Sequence, residues 1–97
     1  MGLVFHRLIP RDLRTVLDYY MREGGSELAQ RFYAEFDQIV AQLAANPRRF
    51  HPIAQELRRA NFQTFPFHLL YRISNDDVRV LVLRHHRRNP SYGRERR

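Results

Sequence analysis

The sequence predicts an α+β domain in which a strand and a helical hairpin precede a three-stranded antiparallel meander, with the sheet packed on the two helices. Between Leu13 and Leu43, apolar residues recur at helical spacing, which is typical of amphipathic helices. Between Phe67 and Leu83 they alternate about an Asn75-Asp76 turn, which is typical of a β-hairpin. A chain of 97 residues has room for one such domain, covering residues 1–97.

The first half of the chain predicts one strand and two helices. Residues 2–8 alternate in part and predict a short first strand. Pro10 suits the first turn of a helix, and Gly24-Gly25 ends that helix. Ser26 is suited to cap a second helix, which ends at Asn46-Pro47. Because so few residues join the two helices, we expect them to pack as an antiparallel hairpin whose aromatic residues belong to the core.

The second half predicts a loop, three strands and a tail. We expect a connecting loop over residues 48–54 and strands over residues 57–64, 67–73 and 78–84. Residues 91–97 form a basic tail that we expect to be mobile.

Strand alternation divides the meander into two faces. If Tyr71 lies opposite Val80, the face that covers the helices carries Phe67, Leu69, Tyr71, Ile73, Val78, Val80 and Val82. The opposite face, which we expect to be open to solvent or to a partner, then carries His68, Leu70, Arg72, Arg79, Leu81, Leu83, His85 and Arg87. In this register Arg84 and His86 point to the helix side. Arg58 and Arg59 lie on opposite faces of their strand, so at most one of them joins the open face.

Composition narrows the function classes. The net charge is +7 and all 17 basic residues are arginine, which favours a polyanionic partner such as nucleic acid or an acidic protein. The absence of cysteine excludes disulfides, thiolate metal sites and a cysteine nucleophile, and it favours the cytoplasm. Charged residues interrupt the first twenty positions, so we expect no signal peptide and no membrane span. Neither metal-ligand spacing nor a cofactor fingerprint is present, and we expect no metal and no cofactor.

Several short motifs, in this order, carry a family resemblance. They are Asn46-Pro47, Leu57-Arg58-Arg59, Phe65-Pro66-Phe67, Tyr71-Arg72, Asp76-Asp77-Val78 and the ending His86-Arg87-Arg88-Asn89-Pro90. Together they resemble the RelE/ParE superfamily of type II toxin–antitoxin toxins, also called plasmid stabilisation proteins, over essentially the whole chain.

The resemblance implies a small toxin that inhibits growth and is neutralised by direct binding of a cognate antitoxin in a hetero-oligomer. RelE-like members cut mRNA on the ribosome, whereas ParE-like members inhibit DNA gyrase and lack the ribonuclease residues. The long helical hairpin and the chain's ending favour the ParE-like side. Ribosome-dependent mRNA cleavage stays open as the alternative, so the resemblance leaves undecided whether the chain is an enzyme.

The resemblance also selects the candidate site residues. For the RelE-like alternative the matching catalytic positions are His68, His85, Arg87 and Tyr92, with His85 as the preferred acid or base. Candidates for contacts with the antitoxin or the target are Arg72, Arg79, Leu81, Leu83, Arg84, His86 and Arg88. In a second interpretation, the histidines only close a strand and the arginines bind an acidic antitoxin.

Overall fold

The computed structural model describes residues 2–54 and 56–97, which form a broken helix beside a five-stranded sheet. The elements are β1 (Gly2–Phe5), α1 (Ile9–Ala45), β2 (His51–Ala54), β3 (Leu57–Asn61), β4 (Phe67–Ile73) and β5 (Asp77–His85). The predicted α+β class is confirmed. The loop expected over residues 48–54 is partly wrong, because its second half forms β2. This strand lies at the sheet edge, where Pro52 is tolerated although it lacks a backbone donor.

Helix α1 is broken at Gly25. This residue has φ 78° and ψ −171°, a backbone conformation that is essentially restricted to glycine. The two arms, residues 9–24 and 26–45, pack together, with the ring centroids of Tyr20 and Phe32 5.5 Å apart. The glycine stop and the helical hairpin therefore agree with the sequence prediction. Within residues 2–54 and 56–97, no helix is both long and apolar enough to cross a membrane.

The sheet has the strand order β1-β5-β4-β3-β2. Strand β1 runs parallel to β5, and the other neighbours are antiparallel. The predicted pairing of Tyr71 with Val80 is observed. One step further, however, Leu70 pairs with Val82, so Leu81 is an additional residue in a β-bulge.

The bulge reverses the predicted faces beyond it. Leu83 lies in the core under the helices, whereas Val82 packs with Leu81 on the other side of the sheet. Arg84 is paired with His68 on that second side, and His85 is paired with Phe67 instead. The prediction that His85 shares a face with His68 is therefore wrong, because strict alternation does not anticipate an inserted residue.

The second face of the sheet is covered by the C-terminal segment, residues 89–97. Leu70, Leu81 and Val82 are all 0% exposed, and Tyr92 packs against them. Gly93 lies so close to β5 that an added Cβ would be 2.7 Å from Val82 Cβ. The expectation of an open face with a mobile tail is thus wrong. Because leucines occupy both faces of the sheet, a second layer is needed, and the tail provides it.

Candidate functional site

Four polar side chains form a connected network on the face of the sheet that carries His68, and we call them the histidine–arginine cluster: Arg59, His68, Arg84 and His86. Arg84 Nε donates to His68 Nε2 at 2.8 Å. His68 Nδ1 lies 2.9 Å from His86 Nδ1, and Arg59 Nη2 lies 3.1 Å from the same His86 atom. Because Nε2 of His68 accepts a hydrogen bond from Arg84, the neutral His68 ring carries its proton on Nδ1 and donates a hydrogen bond from there to His86 Nδ1. Arg58 and Arg59 are adjacent on β3, and only Arg59 joins this face, as alternation predicts. Arg58 instead donates to Phe50 O at 2.7 Å.

Burial sets the charge of this cluster. His68 is 1% exposed, and burial, together with the charges of Arg59 and Arg84, lowers its pKa to about 3. Burial and the charge of Arg59 also lower the pKa of His86. Both imidazoles are therefore neutral at pH 7, and the positive charge of the cluster resides on its two guanidinium groups.

Arg84 fastens the C-terminal segment to the sheet. Its Nη1 atom donates to Pro90 O at 2.6 Å and to Tyr92 O at 2.9 Å, and the residue is 6% exposed. The guanidinium of Arg88 lies over the Tyr92 ring, 4.1 Å from its centroid. Arg84, a predicted contact for a partner, is thus engaged in holding the fold together.

A buried ion pair makes the second attachment of this segment. Arg96 Nη1 donates to Asp12 Oδ2 at 2.7 Å and to Leu81 O at 3.1 Å, and Leu83 N donates to the same carboxylate at 3.2 Å. Burial alone would lower the pKa of Arg96, but the hydrogen bond and the charge of Asp12 raise it. Sequence reasoning placed neither residue in a site. The sequence did offer one sign that Asp12 is buried, because its spacing from Ile9 and Val16 places it on the same helix face as these apolar residues.

The predicted catalytic residues are dispersed rather than assembled. His68 is sealed in the cluster, whereas His85 lies on the helix side with its ring centroid 5.0 Å from that of Phe67. His85 Nδ1 accepts a hydrogen bond from Arg87 N at 3.0 Å, and Arg87 itself is exposed. Tyr92, in the C-terminal segment, packs against the apolar cluster of Leu70, Leu81 and Val82. His85 and Tyr92 line one cavity between the first arm of α1 and the end of β5, but His68 and Arg87 do not, so the four residues are not assembled at one site.

Among the predicted binding residues, Leu81 and Leu83 are buried, while Arg72 and Arg79 lie directly opposite each other on β4 and β5. Arg79 Nη2 is 3.4 Å from Asp77 Oδ2. Both arginines line a cavity of about 490 Å³ whose far side is formed by the end of the C-terminal segment. In the part of the chain that the structure describes, no three His, Asp or Glu side chains are grouped to hold a metal ion.

Comparison with known proteins identifies the family. Residues 3–90 match the family model described as the ParE toxin of type II toxin–antitoxin system, parDE. Toxin ParE2 from two Mycobacterium tuberculosis strains, CDC 1551 / Oshkosh and ATCC 25618 / H37Rv, is 21% identical over 86 residues, covering 89% of this chain and 82% of each relative. The fold is similar to a solved chain of the chromosomal ParDE TA system from P. aeruginosa, with a TM-score of 0.77, 19% identity and coverage of 88% of this chain and 95% of that one. The chain belongs to the ParE toxin family of type II toxin–antitoxin systems.

Proposed function

We propose that this ParE-family toxin inhibits growth by acting on DNA gyrase and is neutralised by direct binding of a cognate antitoxin. One observation favours gyrase over mRNA: the two histidines suited to acid–base catalysis, His68 and His85, lie on opposite sides of the sheet. Cleavage of RNA needs a base, an acid and cations around one phosphate. His68 is 1% exposed and both of its ring nitrogens are engaged, so it is not accessible to a ribose hydroxyl.

Two assays on the purified chain test the target. We expect inhibition of gyrase-catalysed supercoiling with accumulation of broken DNA, and no cleavage of mRNA on ribosomes. Inhibition should disappear when the antitoxin is added in equal amount. Supercoiling that continues undisturbed at saturating toxin refutes the choice of gyrase.

The RelE-like alternative keeps one supporting observation. His86 is exposed, and because its Nδ1 atom accepts from His68 and lies 3.1 Å from Arg59 Nη2, the ring proton is on Nε2, so a proton donor and a cation adjoin at the surface. If this pair cleaved RNA, His86→Ala would abolish cleavage and His85→Ala would not. Under the gyrase proposal, both variants inhibit gyrase like the unaltered chain.

The antitoxin surface we propose combines exposed arginines with the groove of the helical hairpin. Arg79 and Arg88 are exposed, and Met21 and Tyr33, each 50% exposed, border a groove between the two arms of α1. An acidic antitoxin segment that is disordered alone can fold over such a surface, with carboxylates on the arginines and apolar residues in the groove. Leu81, Leu83 and Arg84 are no longer part of this proposal because they are buried.

Copurification with the product of the neighbouring gene tests the partner. We expect a stable hetero-oligomer whose affinity falls in Arg79→Glu and Arg88→Glu, whereas Arg14→Glu, an exposed change elsewhere on α1, has little effect. A chain that stays monomeric in the presence of that product contradicts the proposed neutralisation.

A further inference from the structure

A second cavity, of about 450 Å³, lies between the first arm of α1 and the end of β5. Its walls include Arg11, Tyr19, Arg22, His85, Arg88 and Tyr92. Small-molecule sites in proteins commonly have volumes of roughly 300–1,000 Å³. The cavity is therefore large enough for one small organic ligand.

One wall is a stripe along the helix. Arg11, Thr15, Tyr19 and Arg22 follow one another at spacings of three or four residues, so they share one face of the first arm. Tyr19 is 48% exposed, which leaves much of its ring available for contact. The stripe thus places an aromatic ring between two cationic side chains.

The opposite wall is also aromatic and cationic. The rings of Phe67 and His85 meet edge to face at 5.0 Å. Tyr92 lies beneath Arg88, whose guanidinium is 4.1 Å from the ring centroid. His85 Nδ1 already accepts a hydrogen bond from Arg87 N, so Nε2 carries a proton and can donate a hydrogen bond to a ligand.

The cavity has an excess of positive charge. Among the described residues of its lining, Asp12 is the one carboxylate, and its charge is compensated by Arg96 at 2.7 Å. The guanidinium groups of Arg11, Arg22 and Arg88 therefore act on the cavity without a balancing anion in its wall. Guanidinium groups bind phosphate through paired hydrogen bonds, and aromatic faces stack on nucleobases.

We propose that this cavity binds a nucleotide, with the base stacked on Tyr19 and the phosphate held by Arg11, Arg22 and Arg88. The ligand is either a free nucleotide or one unstacked nucleotide of a nucleic acid strand, since both present the same base and phosphate. The site does not depend on gyrase being the target.

Nuclear magnetic resonance of the full ¹⁵N-labelled chain can test the proposal. Adenosine 5′-monophosphate (AMP) is titrated in parallel with adenosine, which lacks the phosphate, and ribose 5-phosphate, which lacks the base. We expect saturable shifts of cavity amides with AMP, and affinities about tenfold or more lower for the two fragments. A hexadeoxyadenylate strand distinguishes the sources: tighter binding of the strand than of AMP assigns the site to nucleic acid, and equal or weaker binding assigns it to the free nucleotide.

Matched variants locate the ligand. Tyr19→Ala and Arg22→Ala should each weaken AMP binding about tenfold, whereas Arg31→Ala, an exposed arginine change on the second arm, should leave it unchanged. Four results would overturn the proposal. The first two are that AMP does not saturate the site up to about 10 mM, and that ribose 5-phosphate binds as tightly as AMP. The other two are that Tyr19→Ala keeps full affinity, and that a Glu- and Leu-rich peptide shifts the cavity amides when AMP does not. The last result would assign the cavity to a protein partner.

Discussion

Removing the Asp12 carboxylate should release the C-terminal segment from the sheet. In Asp12→Ala, the guanidinium of Arg96 loses its anion and Leu83 N–H loses its acceptor, and both sites are buried. The side chains of the pair are only 5% and 4% exposed. The change therefore leaves a buried charge and a buried donor without a partner.

The expected cost follows from these contacts. Breaking a buried ion pair from one side lowers the free energy of unfolding by about 3–5 kcal/mol. Arg96 can regain water by swinging out with the segment, which places the cost near the lower end, about 3 kcal/mol. That movement uncovers Leu81 and Val82, which are 0% exposed in the intact fold. Asp12→Asn keeps an oxygen for Leu83 N–H, so we expect a smaller loss than with Asp12→Ala.

Urea unfolding followed by circular dichroism measures the loss, and amide exchange at Leu83 reports the missing acceptor. Asp37→Ala, an exposed change on the same helix, is the matched control and should stay within about 0.5 kcal/mol of the unaltered chain. A double-mutant cycle with Arg96→Ala should give a coupling above about 1 kcal/mol. If Asp12→Ala behaves like the control, with Leu83 still protected, the attachment of the segment by this pair is refuted.

Two further predictions concern the same layer. The pKa of His68 is about 3 in the folded chain and about 6.5 when unfolded, so between these pH values only the unfolded chain binds the extra proton. The free energy of unfolding should therefore fall as the pH falls through that window, by at most about 1.4 kcal/mol per pH unit. In His68→Gln, which lacks the ring, the fall should be less steep. Urea titrations at pH 7.5 and 5 measure both chains, and an equal loss of stability in the two would contradict the buried neutral ring. Gly93→Ala combines a φ of 81° with a Cβ only 2.7 Å from Val82 Cβ, and should cost about 2 kcal/mol or more. Gly2→Ala, whose Cβ would meet Asp77 Cβ at 4.0 Å, is the control, and equal thermal midpoints for the two would refute the close packing of the segment.

Much of the architecture follows from local patterns in the sequence. Helical spacing, the Gly24-Gly25 break and the alternation about the Asn75-Asp76 turn correspond to the observed helix arms and the β4–β5 hairpin. Strand β2 was not predicted because His51-Pro52-Ile53-Ala54 lacks alternation, and its pairing depends on the position of β3.

The site was less predictable because its geometry depends on one inserted residue. Regular pairing would place His85 on the same face as His68. Because of the bulge at Leu81, Arg84 and His86 lie on that face instead. The coverage of the second face is equally non-local, since Asp12 and Arg96 meet only in the folded chain. Leucines at positions 70 and 81 did signal that this face needed a cover, and the chain's own end supplies it.

Inhibition of gyrase is tested by adding the purified chain to DNA gyrase, relaxed plasmid and ATP, with a parallel reaction on translating ribosomes. We expect that supercoiling stops and broken plasmid accumulates, that the antitoxin reverses both effects, and that the mRNA stays intact. Unimpaired supercoiling together with mRNA cleavage that is lost in His86→Ala would contradict this expectation, and would assign the chain to the ribonuclease side of its superfamily.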